Sequence, residues 1–116
     1  CIRDRHNDAP CVVSAPHLEA CGVNLLNFGA QNSVRELRDL AGPGLTLMGN
    51  VPTVEIMAKG TPTQVRRSVQ EILASFRDSR RLILSCAGGM PPGVSTENIR
   101  AFVEAAREYS PPRQAP

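Results

Sequence analysis

Three short apolar runs, separated by segments with helical spacing, organise this chain. The runs are Val23–Phe28, Leu45–Met48 and Leu82–Cys86. Their apolar residues are nearly continuous instead of alternating with polar ones, which is typical of parallel strands covered on both faces. Each run is followed by a glycine-bearing loop and then by apolar positions at a helical period. The pattern therefore predicts three buried parallel strands, each followed by a helix.

Local capping signals mark where the helices begin. Ser33 with Glu36, and Thr61 with Gln64, have the spacing of a capping box, and Pro62 suits a first helical position. A third helix is expected from about 96 to 109. The apolar positions expected to face the core are Val34, Leu37 and Leu40 in the first helix, Val65, Val69, Ile72, Leu73 and Phe76 in the second, and Ile99, Phe102, Val103 and Ala106 in the third.

A less regular stretch precedes these units. Cys1–His6 fits the stub of an earlier strand, and Ser14 fits the cap of a short helix that runs through Cys21. The resulting order, (β)αβαβαβα, predicts an α/β fold with a parallel sheet and right-handed crossovers. The pattern alone leaves two architectures open, a small doubly wound sheet and part of a barrel. Residues 111–116 are expected to be a disordered tail.

Length, charge and cysteine content narrow the class of protein. The 116 residues fit one small domain, and because they begin with Cys rather than Met we expect a piece of a longer chain. A net charge of +2, from 13 basic and 11 acidic residues, argues against nucleic acid as a partner. The apolar runs are too short for a membrane span. Four cysteines without CxxC pairs favour a reduced, cytoplasmic protein.

The candidate chemistry lies in the loops after the strands, because ligands of parallel α/β folds bind at the carboxyl ends of the strands. These loops are His6–Asp8, Asn27–Gly29, Gly49–Pro52 and Cys86–Gly93. The polar and thiol side chains in or next to them belong to His6, Asp8, Asn27, Asn50, Ser85 and Cys86. The alternative interpretation is that the glycines and prolines of these loops only shape turns.

Two blocks of sequence resemble the uroporphyrinogen decarboxylase superfamily. The first is Gly49-Asn50-Val51-Pro52, followed by Gly60-Thr61-Pro62. The second runs from Leu84 to Gly93 and is followed by Glu97-Asn98-Ile99. The resemblance implies a (β/α)₈ barrel, with residues 1–110 as its C-terminal part. It also implies an enzyme, because the superfamily includes uroporphyrinogen decarboxylases and zinc-dependent methyltransferases that take methyl from corrinoids.

The resemblance implies a zinc site with departures from the family pattern. The family's His-x-Cys falls on His6-Asn7-Asp8, and its lone loop cysteine falls on Gly88, two residues after Cys86. We therefore predict His6, Asp8 and Cys86 as metal ligands, with nitrogen, oxygen and sulfur at about 2.0–2.3 Å from zinc and a fourth position open for a thiol. The alternative is that these residues bind no metal: His6 is solvated, Asp8 caps a turn and Cys86 is a buried core thiol.

Function is predicted as methyl transfer from a corrinoid or another methylated donor to a thiol. The predicted catalytic residues are His6, Asp8 and Asn50, and the predicted substrate-binding residues are Asn27, Gly49, Ser85 and Gly88. One alternative is uroporphyrinogen decarboxylation, which needs no cofactor; the histidine of that family's loop also falls on Gly88. Another is a non-catalytic module that binds a tetrapyrrole or a corrinoid protein. Expected partners are a small-molecule substrate, a corrinoid protein, and either the rest of the barrel or a second copy of the chain. The isolated segment is expected to be inactive.

Overall fold

The computed structural model describes residues 3–76 and 80–109, so the predicted disordered tail lies outside the described residues. Strands and helices alternate along the described chain. The strands are β1 (Asp4–Asn7), β2 (Leu25–Phe28), β3 (Thr46–Val51) and β4 (Leu82–Cys86). The α-helices are α1 (Ala15–Leu18), α2 (Val34–Leu40), α3 (Pro62–Ser75) and α4 (Thr96–Glu108), and a π-helix spans Thr53–Ala58.

All four strands belong to one parallel sheet in the order β1-β2-β3-β4. Asp4 lies beside Leu25 and Leu25 beside Thr46, whereas Leu47 lies beside Leu82. The predicted parallel α/β order is confirmed, and the carboxyl ends of the strands meet at one edge of the sheet. β3 is longer than predicted, so that most of the expected loop Gly49–Pro52 is the end of a strand.

The predicted helix starts are confirmed where side chains cap the backbone. The Ser33 hydroxyl accepts from the Glu36 N–H at 3.3 Å. Thr61 and Gln64 form a complete capping box, with reciprocal bonds of 3.3 and 2.8 Å. Ser14 does not cap α1; its hydroxyl donates instead to the Cys11 carbonyl at 3.2 Å, and the helix ends at Leu18, before the predicted end.

The helices cover one face of the sheet. Two clusters of buried residues fill the space between the helices and the sheet, one under α1 and α2 and one under α3 and α4. The fully buried large side chains include Leu26, Phe28, Leu37, Leu45, Leu47, Val51, Met57, Val65 and Val69. In the described residues the other face of the sheet stays partly open, and Ile83 on that face is 45% exposed. The expectation that the strands are covered on both faces is therefore wrong for this structure.

The buried face of α4 differs from the predicted one. Ile99 and Val103 are 40% and 39% exposed, whereas Ala101 and Ala105 are almost fully buried. Because α4 packs against α3 and the π-helix, small alanines at the contact allow a close approach. Ile99 and Val103 turn outwards, whereas Phe102 of the predicted face stays partly buried against the same cluster. The apolar stripe is therefore displaced around the helix from the position that hydrophobicity alone assigns to it.

Asn98 adds a polar reason for this rotation of α4. Its side chain is 2% exposed, and its amide donates to the carbonyls of Met57 at 2.9 Å and Gly60 at 2.8 Å. These bonds satisfy two carbonyls at the end of the π-helix, which holds the start of α4 in a fixed rotation.

Within the described residues, no helix combines the length and apolarity needed to cross a membrane.

Candidate active site

His6 and Asn27 lie side by side at the carboxyl ends of β1 and β2. They are partners in the parallel register and point to the face of the sheet that the helices do not cover. His6 Nδ1 and Asn27 Oδ1 are 2.6 Å apart. Asn27 Nδ2 in turn donates to the carbonyl of Met48 in β3 at 2.9 Å. A chain of side-chain hydrogen bonds therefore crosses three strands at the level of His6.

Asp8 faces the second nitrogen of the imidazole. It follows β1 directly, and its Oδ2 lies 3.2 Å from His6 Nε2. The His6 and Asp8 side chains are 52% and 72% exposed, so both can reach a ligand from solvent. One ring nitrogen of His6 is therefore held by a strand residue, and the other faces an accessible carboxylate.

This environment raises the pKa of His6 above its ordinary value of 6.5. The largest cause is the hydrogen bond to Asn27, followed by the hydrogen bond and then the charge of Asp8. Partial removal from water acts in the opposite direction, because burial disfavours the charged form. The folded protein therefore favours the protonated form of His6 more than the unfolded chain does.

The loop after β4 returns to the same place. A Cβ built on Gly88 would lie 3.6 Å from both Asp8 Oδ1 and His6 Cε1, which is ordinary van der Waals contact. Gly88 has a φ of +102°, a backbone conformation that favours glycine. The structure thus brings together His6, Asp8, Asn27 and Gly88, four of the residues predicted for the site.

Cys86 does not join this group. It is 8% exposed and packs with the helices in the cluster that contains Val51 and Met57, and burial raises the pKa of its thiol. β4 ends at Cys86, so strand alternation does not extend to Gly88 and the two residues need not share a face. Among the residues that the structure describes, no three His, Cys, Asp or Glu side chains are placed to hold a metal. The residues present do not fit the predicted His6–Asp8–Cys86 zinc set.

Asn50 and Gly49, predicted as catalytic and substrate-binding residues, serve the scaffold of the site. Asn50 is 6% exposed, and its amide donates to the carbonyls of Gly29 at 3.2 Å and Asn32 at 2.7 Å. Gly49 is buried, and a Cβ there would lie 3.4 Å from the ring of Phe28. Both residues therefore position the ends of β2 and β3 instead of facing solvent.

Ser85 lies on the open face of β4, because its neighbours Leu84 and Cys86 pack with the helix-side cluster. Two strands separate β4 from β1 in the sheet, so Ser85 does not lie next to His6. Its half-buried side chain lines the open face near the start of the loop that carries Gly88.

Asn32 is a site residue that sequence reasoning missed. It is 6% exposed, accepts from the Cys11 N–H at 2.7 Å, and donates to the carbonyls of Ala9 and Gly29 at 3.3 Å each. With Asn50, it ties together the loops after β1 and β2 and the end of β3. The available signal was a polar amide three residues after a strand-ending glycine, which is too common in turns to single out Asn32.

Comparison with known protein families gives one match over most of the chain. The model of the family described as Uroporphyrinogen decarboxylase (URO-D) matches residues 9–109. A methylated-thiol–coenzyme M methyltransferase from Methanosarcina mazei is 29% identical over 98 residues, which are 84% of this chain and 25% of that protein. A uroporphyrinogen decarboxylase from Christiangramia forsetii is 31% identical over 99 residues, 85% of this chain and 28% of that protein.

The fold has a counterpart among solved structures. A methyltransferase from Methanosarcina mazei superposes with a TM-score of 0.77 at 21% sequence identity, covering 92% of this chain and 31% of that chain. This likeness confirms the predicted fold class, a portion of a (β/α)₈ barrel. The chain spans about a quarter of the length of the curated relatives that it matches.

Proposed function

The chain belongs to the uroporphyrinogen decarboxylase (URO-D) family, and on that premise we propose that it carries the acid–base pair of an enzyme that transfers a methyl group to a thiol. The observation that supports this proposal is the position of His6, held by Asn27 on one nitrogen and facing the carboxylate of Asp8 with the other. The relative from Methanosarcina mazei is named a methylated-thiol–coenzyme M methyltransferase, and we take the proposed substrate class from that name.

The proposed step begins with the thiol beside His6 Nε2, in the space that Gly88 leaves free of a side chain. The thiol proton moves to Nε2, and the carboxylate of Asp8 stabilises the imidazolium that forms. The sulfur electron pair then attacks the methyl carbon. The new carbon–sulfur bond forms as the bond from methyl to its donor, a methylated thiol or a methylated corrinoid, breaks and leaves its electron pair on the donor.

The raised pKa of His6 suits this role. A free thiol has an ordinary pKa of about 8.5, well above that of an unperturbed imidazole. Any rise in the His6 pKa narrows this gap, which makes proton transfer from sulfur to nitrogen less unfavourable. Among the residues that the structure describes, His6 is an accessible side chain that can accept the thiol proton, because it is 52% exposed and its Nε2 faces the open side of the sheet.

Decarboxylation of a uroporphyrinogen is the second candidate, and it is supported by an environment that favours the charged form of His6, with Asn27 Oδ1 beside one ring nitrogen and the Asp8 carboxylate facing the other. When a carboxylate leaves as CO₂, the electron pair of the broken bond stays on carbon, and that carbon needs a proton. A protonated His6 Nε2 facing the open side of the sheet is placed to supply one.

Activity of the intact protein that carries this chain tests both candidates. We expect His6→Gln to lower thiol methylation by about 100-fold or more, the usual contribution of a general base. His17→Gln is the matched control, because His17 is exposed on α1 and should have no effect. If the protein decarboxylates uroporphyrinogen and methylates no thiol, the decarboxylase function replaces the methyltransferase function. Binding without turnover of either substrate would favour a non-catalytic module.

A further inference from the structure

We propose that Asn27 is a positioning residue that fixes the tautomer of His6, so that the neutral imidazole carries its proton on Nδ1 and presents an unprotonated Nε2. The sheet holds His6 in this tautomer whatever reaction the site catalyses. Its importance for catalysis rests on the proposed function, because Nε2 is the atom that exchanges the proton there.

The orientation of the Asn27 amide is determined by Met48. The Met48 carbonyl oxygen lies 2.9 Å from the terminal amide of Asn27 and can only accept a hydrogen bond. The group facing it must therefore be the NH₂ of Asn27. The amide oxygen then necessarily faces His6, as the distance of 2.6 Å from Oδ1 to Nδ1 records.

The orientation of the amide determines where the proton of His6 sits. Asn27 Oδ1 is an acceptor without a proton, so a bond of 2.6 Å requires Nδ1 to donate. In a neutral imidazole only one nitrogen is protonated, so Nε2 keeps its lone pair. The opposite tautomer would place two unprotonated acceptors 2.6 Å apart on neighbouring strands. The stated tautomer places the Nε2 lone pair near the Asp8 carboxylate, but that contact is longer, at 3.2 Å, and the Asp8 side chain is 72% exposed and can turn into solvent.

The rigidity of this chain of bonds distinguishes Asn27 from Asp8. Asn27 and Met48 lie on adjacent strands, and His6 pairs with Asn27 in the same register, so the backbone fixes all three positions. Asp8 follows the end of β1, and its side chain is 72% exposed. Asn27 therefore provides the fixed contact, and Asp8 provides a contact that a substrate entering beside Nε2 can displace.

Nitrogen NMR of the intact protein labelled with ¹⁵N-histidine tests the inference. At a pH above the raised pKa of His6, we expect a pyrrole-type signal from Nδ1 and a pyridine-type signal from Nε2. His6→Gln identifies the His6 signals by their loss, and His17 serves as an internal reference for an exposed histidine. Asn27→Leu, which removes the acceptor beside Nδ1, should shift His6 towards the other tautomer, in which Nε2 donates to Asp8.

Two outcomes would overturn the inference. A pyridine-type Nδ1 in the unmodified protein would show that the tautomer is not the one stated, whether or not any variant folds. An unchanged His6 spectrum in a folded Asn27→Leu protein would show that Asn27 does not fix it. If the NMR result holds but the protein methylates no thiol, the proposed function fails and the positioning role of Asn27 stands.

Discussion

At the scale of single residues, the charge of His6 is controlled by two neighbours of different kinds. Asn27 is neutral and acts by hydrogen bonding from a strand, whereas Asp8 acts through both a hydrogen bond and its negative charge from a loop. Both raise the pKa of His6. Only the contribution of Asp8 can be removed by neutralising a charge, which makes the two separable by mutation.

Replacing Asp8 by asparagine should change how stability depends on pH. Because folding raises the pKa of His6, the stabilisation is present in full below the unfolded value of about 6.5 and is lost as the pH rises through the folded value. Asp8→Asn should therefore destabilise the protein most on the acidic side of this window and least on the alkaline side. Urea denaturation at a series of pH values measures this, with His17→Gln as control. A difference between Asp8→Asn and the unmodified protein that grows with pH would contradict the prediction.

A cysteine at position 88 should create the metal site that the sequence pattern suggested. Gly88→Cys places a thiol beside His6 and Asp8, because a Cβ there lies 3.6 Å from both side chains. We expect this variant to bind zinc more tightly than the unmodified protein, despite a backbone cost of about 1–2 kcal/mol at a positive φ. Gly89→Cys is the matched control, since a Cβ there meets nothing within 4 Å. Equal zinc content in both variants, measured after removal of loosely bound metal, would refute the expectation.

The site was predictable from the sequence where it depends on strand order, and not where it depends on which face of a strand the helices cover. The meeting of His6, Asp8, Asn27 and Gly88 follows from parallel strands whose carboxyl ends share one edge. The apolar run Leu82–Cys86 predicted the bounds of β4, but it does not determine that Cys86 lies on the face that the helices cover. The hydrogen bond from Asn27 to Met48 involves a backbone carbonyl, which no side-chain motif can reveal.

At the scale of elements, sequence signals within one helix turn predicted helix starts, but they did not predict how the helices pack. The capping pair Thr61 and Gln64 was predictable because both residues lie within one turn of the same helix. The buried face of α4 was not, because it depends on how closely α4 approaches its neighbours and on the bonds of Asn98 to the π-helix. Four apolar residues at helical spacing do not carry that information.

The corrected face of α4 predicts an unusual order of mutational effects. Ala101→Leu should cost about 1–3 kcal/mol of the free energy of unfolding, because it overpacks the contact with α3. Ile99→Ala should cost less than about 1 kcal/mol, because Ile99 is 40% exposed and much of its side chain already contacts water. Chemical denaturation of the two variants measures both values. A larger loss for Ile99→Ala would restore the face assigned from hydrophobicity.

At the scale of the whole molecule, the described sheet has two edges and one open face. β1 and β4 are its outer strands, and the face opposite the helices carries Ile83, which is 45% exposed. Edge strands and exposed apolar residues on a sheet favour pairing with another chain. We therefore propose that further polypeptide covers this face and these edges.

The 116-residue chain should self-associate through this open face. We expect sedimentation velocity to show a concentration-dependent increase in size, and Ile83→Ser to shift the distribution towards the monomer. Val13→Ser is the control, because Val13 is 86% exposed in the loop after β1 and is not part of the sheet. A monomer at every concentration, in the unmodified chain, would contradict the expectation.

The even spacing of the first three strands has a consequence for how the chain tolerates insertions. His6 pairs with Asn27, and Asn27 contacts Met48, each a step of 21 residues, whereas Leu47 lies beside Leu82, 35 residues on. The length of a connection is thus free to vary, but a single residue inserted within β2 would turn Asn27 towards the helices and disconnect His6. Insertions that arise in evolution should therefore accumulate in exposed turns before the strands, such as the one at Gly22, and be purged from the strands.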